Sequence, residues 1–255
     1  MVPTETSVPE LDTLLESLDE VGPNALTSCP GWTAHHVGAH ICGNYEEIRL
    51  HVEAFADSRP LDRTRSWEER ESPLRELGYT DLLHRIAREA TSTASIISDV
   101  VADQPDATLA WTGRTVAIAG FATHLRSEDT LHRWDLVGDD DVSFEQLGQQ
   151  DLLKHAVRFI GTPLLRRGLS TGPADGSFVA RIRSAGADDL VLEAADGDAR
   201  VSVESVKGAA TIEADPPARL LMLWGRKPMP FHRLKITDHS MRNHAARAQA
   251  LLSGY

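Results

Sequence analysis

The chain has 255 residues, 41% hydrophobic and 25% charged, with a net charge of −12. This is the profile of a soluble globular protein with room for one large domain or two ordinary ones. Residues 1–150 hold 11 Arg, no Lys and 27 acidic residues, a net −16, and the remainder carries +4. That split argues against nucleic acid or an anionic membrane as a partner of the first part, and it predicts attraction between the two parts.

The first ten residues show no basic patch or apolar run, and the longest apolar block, Leu220 to Trp224, is far too short to span a bilayer. A cytoplasmic location is expected. Cys29 and Cys42 form neither a disulfide framework nor a CxxC motif, so both are expected to be reduced.

Leu11, Leu14, Leu15 and Leu18 share one face of a predicted helix over residues 8–20, stopped by Gly22-Pro23. Ser28-Cys-Pro-Gly-Trp-Thr33 is rich in turn residues, and Thr33 is a natural N-cap for a helix to about Asp57. In that helix Ile41, Tyr45, Ile48, Val52 and Phe55 keep a four-three spacing. Residues 58–78 read as a charged surface excursion with one short helical piece around Trp67. A third long helix is predicted from a Thr80 cap to about Ala102, with Leu83, Ile86, Ala90, Ile97 and Val101 inward. After a tight turn at Ala110-Trp-Thr-Gly113, a fourth runs to Gly138.

The pattern then changes. An amphipathic helix is predicted over Phe144 to Gly168. Beyond Gly172-Pro173, strand patterns occupy Phe178–Ile182, Leu190–Ala194, Ala199–Glu204 and Ala209–Ala214, with a hairpin turn at Asp196-Gly197. Asp215-Pro-Pro leads into a helix over Ala218–Gly225, and Met241–Leu252 reads as a last helix. The prediction is an α plus α+β chain: an antiparallel four-helix bundle over 1–142, followed by a smaller α+β domain over 143–255.

In the fourth helix, Ile118, Phe121 and Leu125 define a buried seam whose three-four spacing continues onto Glu128, His132 and Asp135. A carboxylate on an inward face is costly unless paired, and Glu128 stands one turn before His132, so the two can hold one ion. His40 borders the seam of the second helix, with Asn44 one turn further along the same face. His40, Glu128 and His132 would give a His/His/Glu set with open positions on a divalent ion such as Zn²⁺, which points to catalysis or ligand capture.

Two segments, Ser28-Cys-Pro-Gly-Trp-Thr-Ala-His-His-Val-Gly-Ala-His40 and Arg126-Ser-Glu-Asp-Thr-Leu-His-Arg-Trp-Asp135, resemble the signatures of the mycothiol-dependent maleylpyruvate isomerase N-terminal domain, a DinB-like helical bundle. Leu220-Leu-Met-Leu-Trp-Gly-Arg-Lys227 is similar to a motif of the C-terminal domain that accompanies it in actinobacterial proteins. The resemblance implies metal ligation by His40, Glu128 and His132, normally of zinc. It also implies a cosubstrate, mycothiol or another low-molecular-weight thiol, whose metal-bound thiolate is the nucleophile, with no protein nucleophile assigned. A thiolate adds reversibly to an electrophilic carbon, permitting isomerisation, or displaces a leaving group in S-transfer. The substrate expected is a small electrophilic metabolite.

Arg226, after Trp224-Gly225, is a candidate for orienting an anionic group on that substrate, with Arg219, Lys227 and Arg233 close in sequence; Asn44 is a second candidate for substrate contact. Asp135 either orients a ligand or caps the helix. Asp129 is expected to point off the seam into solvent, and His35, His36, His51 and His124 show no partner pattern. Glu128 could instead pair with Arg85 or Arg88. The competing functions are a zinc hydrolase, for which no H-E-x-x-H motif is present, and a non-catalytic metal-stabilised binding module.

Overall fold

The computed structural model describes residues 6, 8–171, 177–195, 198–227, 233–236 and 242–252. The chain divides into two compact units, residues 1–143 and 144–255.

In the first unit the long helices are α1 (Pro9–Val21), α2 (Ala34–Ala56), α4 (Tyr79–Asp103) and α5 (Gly120–Val137), with the shorter α3 (Trp67–Arg75) between α2 and α4. Leu11, Leu14, Leu15 and Leu18 of α1 are fully buried, as are Ile41, Ile48 and Val52 of α2, Leu82, Leu83 and Ile86 of α4, and Phe121 of α5. Burying each such side chain contributes roughly 1.5–3 kcal/mol, so the seams read from spacing are what hold the helices together. α2 packs on both α3 and α4, and α1 on α5.

Local signals set the ends. Thr33 is the N-cap of α2, its backbone N–H donating to His36 Nδ1 at 3.2 Å. α4 begins one residue before the predicted Thr80 cap, on Gly78, and Val100 rather than Val101 turns inward. The predicted tight turn at 110–113 is a β-hairpin, β1 (Thr108–Trp111) with β2 (Arg114–Ala117), closed by Thr112 and Gly113 at φ 50° and 76°. Two positive-φ residues make a compact hairpin turn, and glycine tolerates that conformation best.

The segment before α3 is anchored to α2. The Arg65 backbone N–H donates to Glu47 Oε1 at 2.7 Å and its Nε to Oε2 at 2.6 Å. α3 itself opens with a capping box in which Ser66 accepts from the Glu69 N–H and the Glu69 carboxylate accepts from the Ser66 N–H.

In the second unit the long helix predicted over 144–168 is broken. α6 (Asp141–Leu147) begins before the unit boundary, and α7 (Gln150–Ala156) follows; a five-residue π-helical stretch, Val157–Gly161, then leads into α8 (Thr162–Thr171). The π stretch ends where a Cβ on Gly161 would meet Leu223 at 3.0 Å and Val201 at 3.1 Å, so its glycine allows a close approach.

β3 (Phe178–Arg183), β4 (Asp189–Ala195), β5 (Asp198–Glu204), β6 (Ile212–Ala214) and β7 (Leu234–Ile236) form one sheet in the order β5-β4-β3-β6-β7. β3 and β6 run parallel, and the other pairs are antiparallel. β6 is shorter than the predicted fourth strand, and β7 has no counterpart in the sequence reading. α9 (Pro216–Leu223) starts at an Asp215 N-cap that accepts from the Ala218 N–H at 2.7 Å, and α10 (Arg242–Leu252) ends the described chain. The predicted turn residues Gly172, Pro173, Asp196 and Gly197, and the predicted helix start Met241, lie outside the described residues. Among the described residues no helix is long and apolar enough to cross a membrane.

Candidate metal centre

α5 carries the predicted seam to its polar end. His132 and Asp135 are buried, and Glu128 keeps 12% of its side chain exposed. The seam of α2 meets it at His40. The ligating atoms of His40, Glu128 and His132 lie within 4.8 Å of one another. Both imidazoles turn Nε2 to the same carboxylate oxygen, Glu128 Oε2, at 3.6 Å from His40 and 3.5 Å from His132. The two rings stand 5.0 Å apart and nearly perpendicular.

Each ring is aimed by a carboxylate behind it. His40 Nδ1 is 2.8 Å from Glu71 Oε1, and since a carboxylate only accepts, Nδ1 carries the proton and Nε2 keeps its lone pair. His132 Nδ1 lies 3.0 Å from Asp135 Oδ2, at ion-pair distance but without hydrogen-bond alignment. A carboxylate behind the ring is the usual companion of a metal-bound imidazole, because it fixes the ring and raises its basicity.

Asn44 closes one side. Its Oδ1 accepts from Arg70 Nη1 at 2.9 Å, which leaves Nδ2 facing His40 Nε2 at 3.1 Å. Trp32 lies parallel to His132 at 6.0 Å and tilted on His40 at 5.2 Å, and Trp67 presents its edge to His40. Cys29, half-buried, places Sγ 3.2 Å from Asp135 Oδ2, so Cys29, Asp135 and His132 make a second donor cluster sharing one imidazole.

The electrostatics follow from burial. Burial alone would raise the Glu128 pKa, yet the imidazoles of His132 and His40 hold it well below the ordinary carboxylate range. Burial opposes charge on His132, but Asp135, Cys29 and Glu128 outweigh it and keep its pKa well above the usual value. Two imidazole nitrogens and a carboxylate oxygen within 4.8 Å of one another are a donor set that fits a divalent ion of borderline softness such as Zn²⁺, with positions left for other ligands.

Several residues differ from expectation. Asp129 is fully buried and not solvated: it accepts from Tyr45 Oη at 2.6 Å, and burial pushes its pKa well above the ordinary value. Arg85 pairs with Glu46 at 2.8 Å, whereas Glu128 faces imidazoles. His124, unassigned from the sequence, puts Nε2 3.6 Å from Glu128 Oε1, and burial lowers its pKa. The i to i+4 spacing of His124 and Glu128 was the available signal.

Glu71 and Arg70 were missed because they belong to a segment read as surface. The Ser66-to-Glu69 capping box marks the helix that carries them inward. Arg226 belongs to the second unit, where its Nη1 donates to the Trp224 carbonyl at 3.2 Å.

A helical bundle with a buried His/Glu/His cluster defines a class of helical-bundle proteins with a candidate metal site. Residues 5–137, just over half of the chain, match the family model described as the mycothiol maleylpyruvate isomerase N-terminal domain, and the chain belongs to that family. Among solved structures, the chain is similar to a crystal structure of a histidine-to-alanine mutant of mycothiol-dependent maleylpyruvate isomerase, at TM-score 0.64 and 11% identity over 90% of this chain and 89% of that one. It is similar also to another crystal structure of that isomerase, at TM-score 0.64 and 13% identity over 87% of each chain. At those identities the likeness is one of fold. No curated protein sequence matches.

Proposed function

We propose that this chain is a metal-dependent enzyme that uses a low-molecular-weight thiol, mycothiol or a close analogue, to isomerise or S-transfer onto a small electrophilic metabolite. His40, Glu128 and His132 would hold the ion, and their nitrogen and oxygen donors suit Zn²⁺. The observation that carries the reading is the convergence of two imidazole Nε2 atoms on one buried carboxylate, with Glu71 bonded to Nδ1 of His40 and Asp135 at ion-pair distance from Nδ1 of His132. Family membership supports the thiol.

A bound zinc ion supplies a positive charge that favours thiolate over thiol near neutral pH. The chain's own residues do the rest. Glu71 and Asp135 keep the imidazoles oriented, so little reorganisation is needed when the ion enters. Trp32 and Trp67 set indole rings beside His40, so one side of the site is apolar. The Asn44 amide, held by Arg70, is a neutral donor beside His40 Nε2 that would turn to a ligand once Nε2 is engaged.

Calorimetric titration of the zinc-loaded protein with mycothiol tests the reading. Saturable binding that disappears on chelation and returns with zinc is expected. Equal binding with and without metal would overturn the thiol-activation role.

A further inference from the structure

The second unit carries an open cavity of about 1,290 Å³ between α7, the β3–β4 turn, the ends of β5 and β6, β7 and the start of α9. It exceeds the roughly 300–1,000 Å³ usual for small-molecule sites, so an organic ligand fits with solvent to spare.

The charges on its wall are not alike. Arg183 is held by Asp189 through two contacts of 2.8 Å, Arg233 by Asp215 at 2.7 and 3.0 Å, and Lys235 by Glu213 at 3.1 Å. Arg219, on α9, is different. It is 1% exposed and lines the cavity, yet its guanidinium has no hydrogen bond or ion pair among the described residues, and its Nε is wholly buried and unsatisfied. Asp189 and the exposed Asp188 favour its charge from beyond ion-pair distance, but neither bonds to it.

An arginine stays charged in proteins, and a buried guanidinium whose donors are left without hydrogen-bonded acceptors is costly. Such a group persists where a ligand completes it. A guanidinium presents a planar fork that matches a carboxylate or a phosphate through two parallel hydrogen bonds. Lys154, exposed on α7 and in no ion pair among the described residues, adds a second cation on the wall. Leu153, Val203 and Val206 supply apolar surface beside it.

We propose that this cavity binds a small organic anion, a carboxylate or phosphate ester with an apolar body, with Arg219 as the buried anchor and Lys154 as the outer cation. The site lies wholly within the second unit and shares no residue with the His40, Glu128 and His132 cluster.

The test is calorimetric titration of the full chain with inorganic phosphate, benzoate and phenyl phosphate at constant ionic strength. Phenyl phosphate and benzoate should bind more tightly than inorganic phosphate, because their rings bury apolar surface. Arg219→Met should weaken phenyl phosphate about ten- to a hundredfold, the loss of a charged hydrogen-bonding anchor, and Lys154→Met by a smaller factor. Glu128→Ala, which removes a proposed metal ligand, should leave this binding unchanged, so failure here and failure of the metal reading are separable.

If Arg219→Met does not fold, Arg219→Lys serves: its point charge cannot form the fork and should bind phenyl phosphate at least several-fold more weakly. Unchanged affinity in either folded variant, or no binding of any of the three anions to the wild-type chain, would overturn the proposal.

Discussion

Glu71 Oε1 accepts from His40 Nδ1 at 2.8 Å, joining a short helix in the most charged part of the first unit to the imidazole at the centre of the proposed metal site. The contact fixes which His40 nitrogen is free, and so whether the ring can ligate at all. Glu71→Ala should therefore weaken zinc binding about 10- to 100-fold without removing a ligand. Competition against a chromophoric chelator measures this directly. Unchanged affinity would mean that His40 is oriented by packing alone.

The Tyr45 hydroxyl donates to Asp129 Oδ2 at 2.6 Å in the interior of the bundle, one residue from Glu128. Tyr45→Phe leaves a buried carboxyl without that donor and should cost about 1–3 kcal/mol of stability. Urea unfolding would show the loss as a lower midpoint at unchanged slope.

That pair also shows where the sequence was hard to read. The seam of α5 was legible because apolar residues at Ile118, Phe121 and Leu125 set a phase that Glu128, His132 and Asp135 continue. Asp129 is one position off that phase and looked solvated, but α1 and α2 bury the neighbouring face as well, and Tyr45 from the α2 seam donates to its Oδ2. Glu71 was concealed for the opposite reason: α3 is so charged that its period carries no apolar signal, and only its capping box announces a helix. In the second unit the alternating strands β3 to β5 were plain, whereas β7, three residues with little burial, offers no pattern to find.

Asp189 is buried on β4 and held below its ordinary pKa chiefly by Arg183. An unfolded aspartate titrates at about 3.9, so the stabilisation from this pair is complete above that value and is lost as pH falls through the lower folded-state value. Thermal melts taken from about pH 6 to about pH 3 should show this decline. Arg183→Met should start from a lower melting temperature and decline less over the same range. A parallel decline in both proteins would show that other carboxylates govern acid unfolding.

Cys42 is fully buried in α2, and burial pushes its thiol pKa up to about 12. Cys29 is half-buried. Brief alkylation of the folded protein at mildly alkaline pH should therefore leave Cys42 unmodified, with any label confined to Cys29, and both should react after unfolding. Peptide mass spectrometry separates the two. Labelling of Cys42 in the folded state would mean that the bundle opens locally at that turn.

His40, Glu128 and His132 are proposed to hold one metal ion, and elemental analysis of purified protein, with each of His40→Ala, Glu128→Ala and His132→Ala beside the wild type, reads this out. The expected result is about one equivalent of a divalent metal, most of it zinc, in the wild type and its loss in all three variants, with Asp189→Asn, in the second unit, as a control that retains it. Full metal retention in the three variants, or a wild type that takes up none when zinc is supplied, would contradict it.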